Sequence, residues 1–74
     1  MIRKPCVSSN VRSYGYDPGA EILEVEFTNK RVYQLFKVPI QVYHDLEAAT
    51  SKGKFYAENL KGRYRTEPVP INAE

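Results

Sequence analysis

The sequence predicts a small α+β domain, in which a three-stranded antiparallel β-meander is followed by two helices packed on one face of the sheet (βββαα). Three observations support this prediction. The chain has 74 residues, enough for only one domain. Apolar residues occupy every second position from Leu23 to Phe27, as in a strand with one buried face. After Pro39, apolar residues recur at helical spacing. Composition agrees, because 42% hydrophobic and 27% charged residues are typical of globular proteins rather than disordered ones.

The first hairpin is predicted to join strands at residues 7–16 and 21–27. Between them, residues 17–19 (Asp-Pro-Gly) favour a turn, because proline presets its own φ angle and glycine adopts angles that other residues avoid. This turn does not fix the pairing register. Whether Tyr14 or Val11 shares the core face therefore stays open.

A tighter hairpin is predicted between the second and third strands. We expect Asn29 and Lys30 to be its two loop residues, because asparagine tolerates the positive φ of such turns. With that loop, Leu35 pairs with Glu24, and Tyr33 lies on the same side, away from the core. A slip of one residue would exchange the two faces. The predicted core face then consists of Leu23, Val25, Phe27, Val32, Gln34 and Phe36.

Two helices are predicted after the strands. Proline suits the first turn of a helix, so the first helix should start at Pro39. Ile40, Tyr43 and Leu46 then form an apolar stripe that can cover one face of a small sheet. A second, shorter helix is predicted at about residues 54–61, before a glycine that is a usual helix stop.

The whole chain, residues 1–74, is predicted to be one domain with its folded part at about 6–65. Residues 66–74 are expected to be a flexible tail, because few apolar side chains anchor them. No stretch has the roughly 20 apolar residues of a membrane helix, and the first residues lack the apolar run of a secretory signal. Cys6 is the only cysteine, so no internal disulfide can form. We therefore expect a cytoplasmic protein with no membrane partner.

Several short motifs resemble the KTSC family in their order and spacing, over about residues 7–65. They are Val7-Ser8-Ser9-Asn10-Val11, Gly15-Tyr16-Asp17, Leu23-Glu24-Val25-Glu26-Phe27, Val32-Tyr33, Val38-Pro39, Ser51-Lys52-Gly53 and Tyr64. The family is named for its occurrence at the C-terminus of some lysyl-tRNA synthetases, and it also includes small stand-alone bacterial and phage proteins. That association is the basis for expecting RNA binding. The chain departs from the family's Tyr-x-Tyr pattern at Leu35 and lacks the asparagine usual after the paired aromatics of the second helix.

Residues 51–65 contain the main candidate binding site. They carry five basic residues and one acidic residue, a net charge of +4. The segment 51–54 (Ser-Lys-Gly-Lys) is either a phosphate site at a helix N-terminus or a plain turn capped by its serine. The segment 61–65 is either a grip on a nucleic-acid backbone or a solvated helix end. The candidate ligand-binding residues are Ser51, Lys52, Gly53, Lys54, Tyr56, Lys61, Arg63, Tyr64 and Arg65.

A second candidate is an interaction face on the sheet, formed by Tyr14, Tyr33 and Leu35. Nearby acidic residues would repel phosphates there, so this face suits a protein partner or a second copy of the chain. We predict no catalytic residue, metal or cofactor, because the single histidine and single cysteine lack a diagnostic spacing. The predicted function is a non-enzymatic binding module for RNA or another phosphate-bearing ligand. The alternatives are a protein-interaction accessory or homo-oligomer, and a pocket for a small nucleotide between the helical turn and the sheet.

Overall fold

The fold is built on a five-stranded antiparallel sheet whose strands follow chain order, from β1 to β5. The computed structural model describes residues 3–5 and 10–69. The α+β class therefore fits, whereas the three-stranded βββαα prediction is wrong, because a short strand is added at each edge of the sheet. The strands are β1 (Lys4–Pro5), β2 (Val11–Asp17), β3 (Ile22–Phe27), β4 (Val32–Leu35) and β5 (Thr66–Val69). The helices are α1 (Ile40–Ala48) and α2 (Lys52–Phe55), and α2 continues into a π-helical segment (Tyr56–Leu60).

Strand β5 corrects the predicted flexible tail. Its first residue, Thr66, pairs with Leu35, and its last residue, Val69, pairs with Val32. Pro68 is compatible with this position, because an edge strand does not need every backbone N–H for pairing. The tail prediction is therefore wrong for residues 66–69, while residues 70–74 lie outside the described part of the chain.

The hairpin between β3 and β4 has a three-residue loop instead of the predicted two-residue loop. The backbone N–H of Phe27 donates to the carbonyl of Arg31 at 2.9 Å, and that of Lys30 donates to the carbonyl of Phe27 at 2.9 Å. Lys30 has a φ of 70°. This is a type I turn followed by a left-handed residue, the usual form of a three-residue hairpin loop. The positive φ therefore falls on Lys30 and not on Asn29.

The longer loop shifts the pairing of β3 and β4 by one residue. Leu35 lies opposite Leu23 instead of Glu24, and Tyr33 lies opposite Val25. Because side chains alternate along a strand, this shift turns Leu35 and Tyr33 toward the helices. Gln34 lies on the other side, where its side chain donates to the Glu24 carboxylate at 3.0 Å. Val32 and Phe36 lie two positions before and after Gln34, on the same side of the strand. The prediction that these three residues face the core is therefore wrong.

The core lies between one face of the sheet and the helices. The first hairpin contributes Tyr14 opposite Val25, with a break in register between Val11 and Ser13, so that both Val11 and Tyr14 are buried. Helix α1 starts directly after Pro39, as predicted, but Ile40 in its first turn is 50% exposed and does not join the core. In the described ranges, no helix is long and apolar enough to cross a membrane. The side chains with at most 1% exposure are Val11, Leu23, Val25, Leu35, Val38, Leu46 and Leu60.

Candidate anion-binding site

The turn between the two helices uses its first lysine for structure. The Lys52 ammonium donates to the backbone carbonyls of Glu47 at 3.1 Å and Ala49 at 2.9 Å. These carbonyls lie at the C-terminal end of α1, where the helix leaves acceptors unpaired and where a positive charge is favourable. The ammonium also lies 5.8 Å from the ring centre of Tyr14. Lys52 therefore caps α1, and this contact accounts for its position in the turn.

Ser51 and Gly53 also have structural positions in this turn. The Ser51 side chain accepts a hydrogen bond from the backbone N–H of Lys54 at 3.3 Å, which is the N-cap arrangement that the serine predicts. Gly53 is buried. The geometry of residues 51–54 is thus that of a capped turn, and only Lys54 remains an exposed cation there.

The remaining basic residues divide between separate cavities. Arg63, Tyr64 and Arg65 line a cavity of about 530 Å³, called here the basic pocket; its other lining residues are Ala20, Phe36 and Lys37. Tyr56, Gly53 and Lys61 line a cavity of about 510 Å³, called here the aromatic pocket; its other lining residues are Asn10, Phe27, Thr28, Asn29, Tyr33 and Ala57. Ser51 and Lys54 line a third cavity. The single surface that the sequence predicted over residues 51–65 is therefore split.

The walls of the basic pocket come from the end of β4 and from the chain entering β5. The backbone N–H of Phe36 donates to the carbonyl of Arg65 at 2.9 Å, which extends the β4–β5 pairing beyond the two strands. Gly62 has a φ of 77° and lets the chain turn after the π-helical segment, where the N–H of Arg63 donates to the carbonyl of Leu60 at 3.1 Å. Backbone hydrogen bonds thus hold this segment beside the end of β4.

The charges of the basic pocket favour an anion. Arg65 forms an ion pair with Glu67, and its guanidinium group lies 5.5 Å from the ring centre of Phe36. Lys37 and Arg63 are exposed and form no ion pair with the residues that the structure describes. An anion entering the pocket would therefore meet two unpaired cations and a third that it shares with Glu67. Sequence reasoning missed Phe36 and Lys37, because the predicted register placed them in the sheet and its core.

The aromatic pocket lies between the β3–β4 hairpin and the π-helical segment. The Phe27 ring meets the Tyr33 ring edge to face at 5.9 Å and the Tyr56 ring at 4.9 Å. Burial raises the pKa of the Tyr56 hydroxyl, and the neighbouring Tyr33 raises it further. The backbone N–H of Lys61 donates to the carbonyl of Tyr56 at 2.8 Å, which closes the wide π turn. Sequence reasoning missed Asn10 and Asn29 as lining residues of this pocket.

The predicted interaction face of Tyr14, Tyr33 and Leu35 does not exist as one exposed surface. Tyr14 is 6% exposed and Leu35 is fully buried, so both belong to the core. Tyr33 belongs to the aromatic pocket. The physical reason is the one-residue shift of register, which exchanges the faces of β4. On the opposite face, Ser13 donates to the Glu26 carboxylate at 2.8 Å.

Comparison with known proteins gives a consistent result. The KTSC domain family matches residues 7–64. The chain is 40% identical over 62 residues to a protein of Tsukamurella paurometabola, covering 84% of this chain and 92% of that one. It is 36% identical over 61 residues to a lysine–tRNA ligase of Nostoc sp., covering 82% of this chain but only 11% of the ligase. The crystal structure of a KTSC domain protein from Yersinia pestis superimposes with a TM-score of 0.91 at 33% identity, covering 93% of this chain and 97% of that one.

Proposed function

The chain belongs to the KTSC domain family, and we propose that it is a non-enzymatic binding module of the cytoplasm for RNA or another phosphate-bearing ligand. The observation that carries this proposal is the basic pocket, where Lys37, Arg63 and Arg65 converge on a cavity of about 530 Å³. Ligand sites in proteins span about 300–1,000 Å³, so the cavity is large enough for part of an RNA strand.

The side chains of this pocket suit a sugar–phosphate backbone beside unpaired bases. Arginine offers several N–H donors in one plane and binds phosphate oxygens in pairs, and lysine adds a point charge. The rings of Phe36 and Tyr64 line the same cavity and supply apolar walls on which a base can stack. Glu67 opposes binding because it already pairs with Arg65, so the pocket selects ligands whose charge can compete with a carboxylate.

The relatives support RNA as the first ligand to test. The chain is similar to part of a lysine–tRNA ligase, whose name describes an enzyme that acts on a tRNA. That similarity spans about a tenth of the ligase and is confined to this domain, which agrees with a binding role beside a separate catalytic part.

In the part of the chain that the structure describes, no group of three or more His, Cys, Asp or Glu side chains could hold a metal ion.

Fluorescence anisotropy with a labelled single-stranded RNA of about ten nucleotides tests this proposal. We expect Arg63→Glu and Lys37→Glu each to weaken binding about tenfold or more, because each reverses a charge in the basic pocket. Lys54→Glu is the matched control, since it makes the same change of charge outside that pocket, and we expect less than about a twofold effect.

Salt dependence provides a second measurement. The logarithm of the affinity should fall linearly with the logarithm of salt concentration, and each lost phosphate contact should reduce that slope by about 0.7. Absence of binding at about 50 mM salt would contradict the proposal. Equal effects of Arg63→Glu and Lys54→Glu would also contradict it, because they would show that only net charge matters.

A further inference from the structure

We propose a second site, distinct from the basic pocket: the aromatic pocket binds one nucleotide unit, with the base against Tyr33 and Tyr56 and the phosphate at Lys61. The ligand class is a planar base that carries a phosphate, either free as a mononucleotide or as one residue of a single-stranded RNA. The proposal depends on three kinds of lining residue that the fold brings together: aromatic rings, side-chain amides and one cation.

Aromatic rings form one wall of the pocket. Tyr33 and Tyr56 come from different elements, β4 and the π-helical segment, and both contact the ring of Phe27 edge to face, at angles of 69° and 75°. Edge-to-face contacts are a favourable arrangement of aromatic rings, so Phe27 helps to hold both tyrosine rings in place. Fixed aromatic rings at a cavity are the usual platform for bases, which stack on them irrespective of base identity.

Amide groups supply polar contacts for the edge of a base. The side-chain oxygen of Asn29 accepts a hydrogen bond from the backbone N–H of Arg31 at 3.0 Å, which holds the side chain in place. Its NH₂ group makes no hydrogen bond with the described residues, so it is available as a donor. Asn10 lines the same cavity, and its backbone carbonyl accepts from Thr28 at 2.8 Å, which ties the start of β2 to the hairpin loop.

The π-helical segment brings the cation to the rings. In an α-helix, a residue five positions after Tyr56 would point well away from it, because one turn takes 3.6 residues. Here the wider turn closes with a hydrogen bond from the backbone of Lys61 to that of Tyr56, and both residues line the pocket. Single π turns occur frequently at functional sites. Lys61 is the one charged residue among the described lining residues, so no carboxylate in the lining repels a phosphate.

The combination of groups excludes simpler ligands. A purely apolar molecule would pack on the aromatic wall but would make no use of the Asn29 NH₂ group or of Lys61. A bare anion would use Lys61 but not the aromatic wall. A nucleotide unit uses all three kinds of group, because its base stacks, its base edge forms hydrogen bonds and its phosphate pairs with the lysine.

The test compares each ribonucleoside 5′-monophosphate with its nucleoside, using the full chain and NMR chemical-shift titration. We expect shifts confined to Asn10 and residues 27–33 and 53–61, and weaker binding of each nucleoside than of its monophosphate. Lys61→Gln should remove most of that difference, by about fivefold or more, and leave nucleoside binding unchanged. Lys54→Gln makes the same change of charge in α2, outside the aromatic pocket, and is the matched control.

Tyr56 provides the stacking test. Because Tyr56 packs against the core, Tyr56→Leu can weaken the fold, so the folded fraction is measured on the same sample and Tyr56→Phe, which retains the ring, is compared. We expect Tyr56→Phe to keep base binding and folded Tyr56→Leu to lose about tenfold. A parallel titration with RNA of about ten nucleotides distinguishes the two sources of the ligand. Tighter binding of the RNA to the aromatic pocket indicates a residue of an RNA strand, and tighter binding of the monophosphate indicates a free nucleotide.

Two results would overturn the inference: shifts outside the aromatic pocket for both probes, or equal effects of Lys61→Gln and Lys54→Gln on monophosphate binding. Either result leaves the basic pocket untouched. Conversely, loss of RNA binding in Arg63→Glu with intact monophosphate binding would separate the two sites.

Discussion

Replacing Lys52 by alanine should destabilise the fold rather than remove a ligand contact. Its ammonium donates two charge-assisted hydrogen bonds to carbonyls at the end of α1, from a partly buried position. Hydrogen bonds to charged groups contribute about 1.5–3 kcal/mol each, but ordering a lysine side chain costs about 1.5–2 kcal/mol. For the two hydrogen bonds together, the net loss should therefore be about 1–4.5 kcal/mol. In a domain of this size, each kcal/mol lowers the Tm by about 4–8 °C.

Thermal and urea unfolding, followed by circular dichroism, measure this effect. The matched control is Lys54→Ala, which removes the same side chain two positions away, at an exposed site. We expect Lys54→Ala to change stability by less than about 0.5 kcal/mol. Lys52→Met, which keeps the apolar stem but removes the charge, should be intermediate. If the Lys52 and Lys54 variants unfold at the same temperature, the capping role derived from these two hydrogen bonds is wrong.

Three further outcomes are expected from the backbone and the charges. Gly62→Ala should cost about 1 kcal/mol in urea unfolding, because its φ is 77° while an added Cβ would meet no atom within 4 Å, so only backbone strain acts. Lys30→Gly and Lys37→Gly should each stabilise the fold by up to about 1 kcal/mol, since both lysines have positive φ, but only Lys37→Gly should weaken RNA binding. The hydrogen bond from Lys4 is the main cause of the lowered pKa of Glu47. The stabilisation from the ionised Glu47 carboxylate is therefore complete above the unfolded pKa of about 4.3 and is lost as the pH falls through the lower folded value. In urea unfolding, Lys4→Ala should reduce this loss of stability below about pH 4.3.

The α+β class and the order of the central elements could be predicted because they depend on patterns of side chains. Alternation along Leu23, Val25 and Phe27 predicts a strand whichever residues pair with it. Pro39 predicts the start of α1 because proline is tolerated at the beginning of a helix but not in its interior, and the structure has it as the residue directly before α1. These signals are local in the sequence, so they do not depend on the rest of the fold.

The hairpin register could not be predicted, because it depends on which loop residue adopts a positive φ. Sequence preference favours Asn29, yet Lys30 adopts it. A lysine in that conformation is unfavourable locally, and the pairing of Leu35 and Tyr33 on the core side outweighs the cost. Because the loop has one residue more than predicted, Leu35 lies in the core and not on the predicted exposed face.

Strand β5 was missed for a different reason. Its four residues lack alternation and include Pro68, so no local pattern predicts a strand. It forms because β4 presents an open edge, and that edge exists only once the sheet is built. The same limit applies to Lys37 and Phe36, whose place in the basic pocket depends on the chain entering β5.

Residues with positive φ lie beside both proposed pockets. The four described residues with positive φ are Glu21, Lys30, Lys37 and Gly62. Lys37 lines the basic pocket, and Glu21 directly follows Ala20, which also lines it. Lys30 directly follows Asn29, which lines the aromatic pocket. Gly62 lies between Lys61 of the aromatic pocket and Arg63 of the basic pocket. Strained conformations persist where surrounding structure enforces them, and they cluster at ligand sites. Three of these four are not glycine, so selection for stability alone would favour glycine there. The hairpin loop already accounts for Lys30, so Lys37, which itself lines the basic pocket, is the position that bears on the proposed binding role.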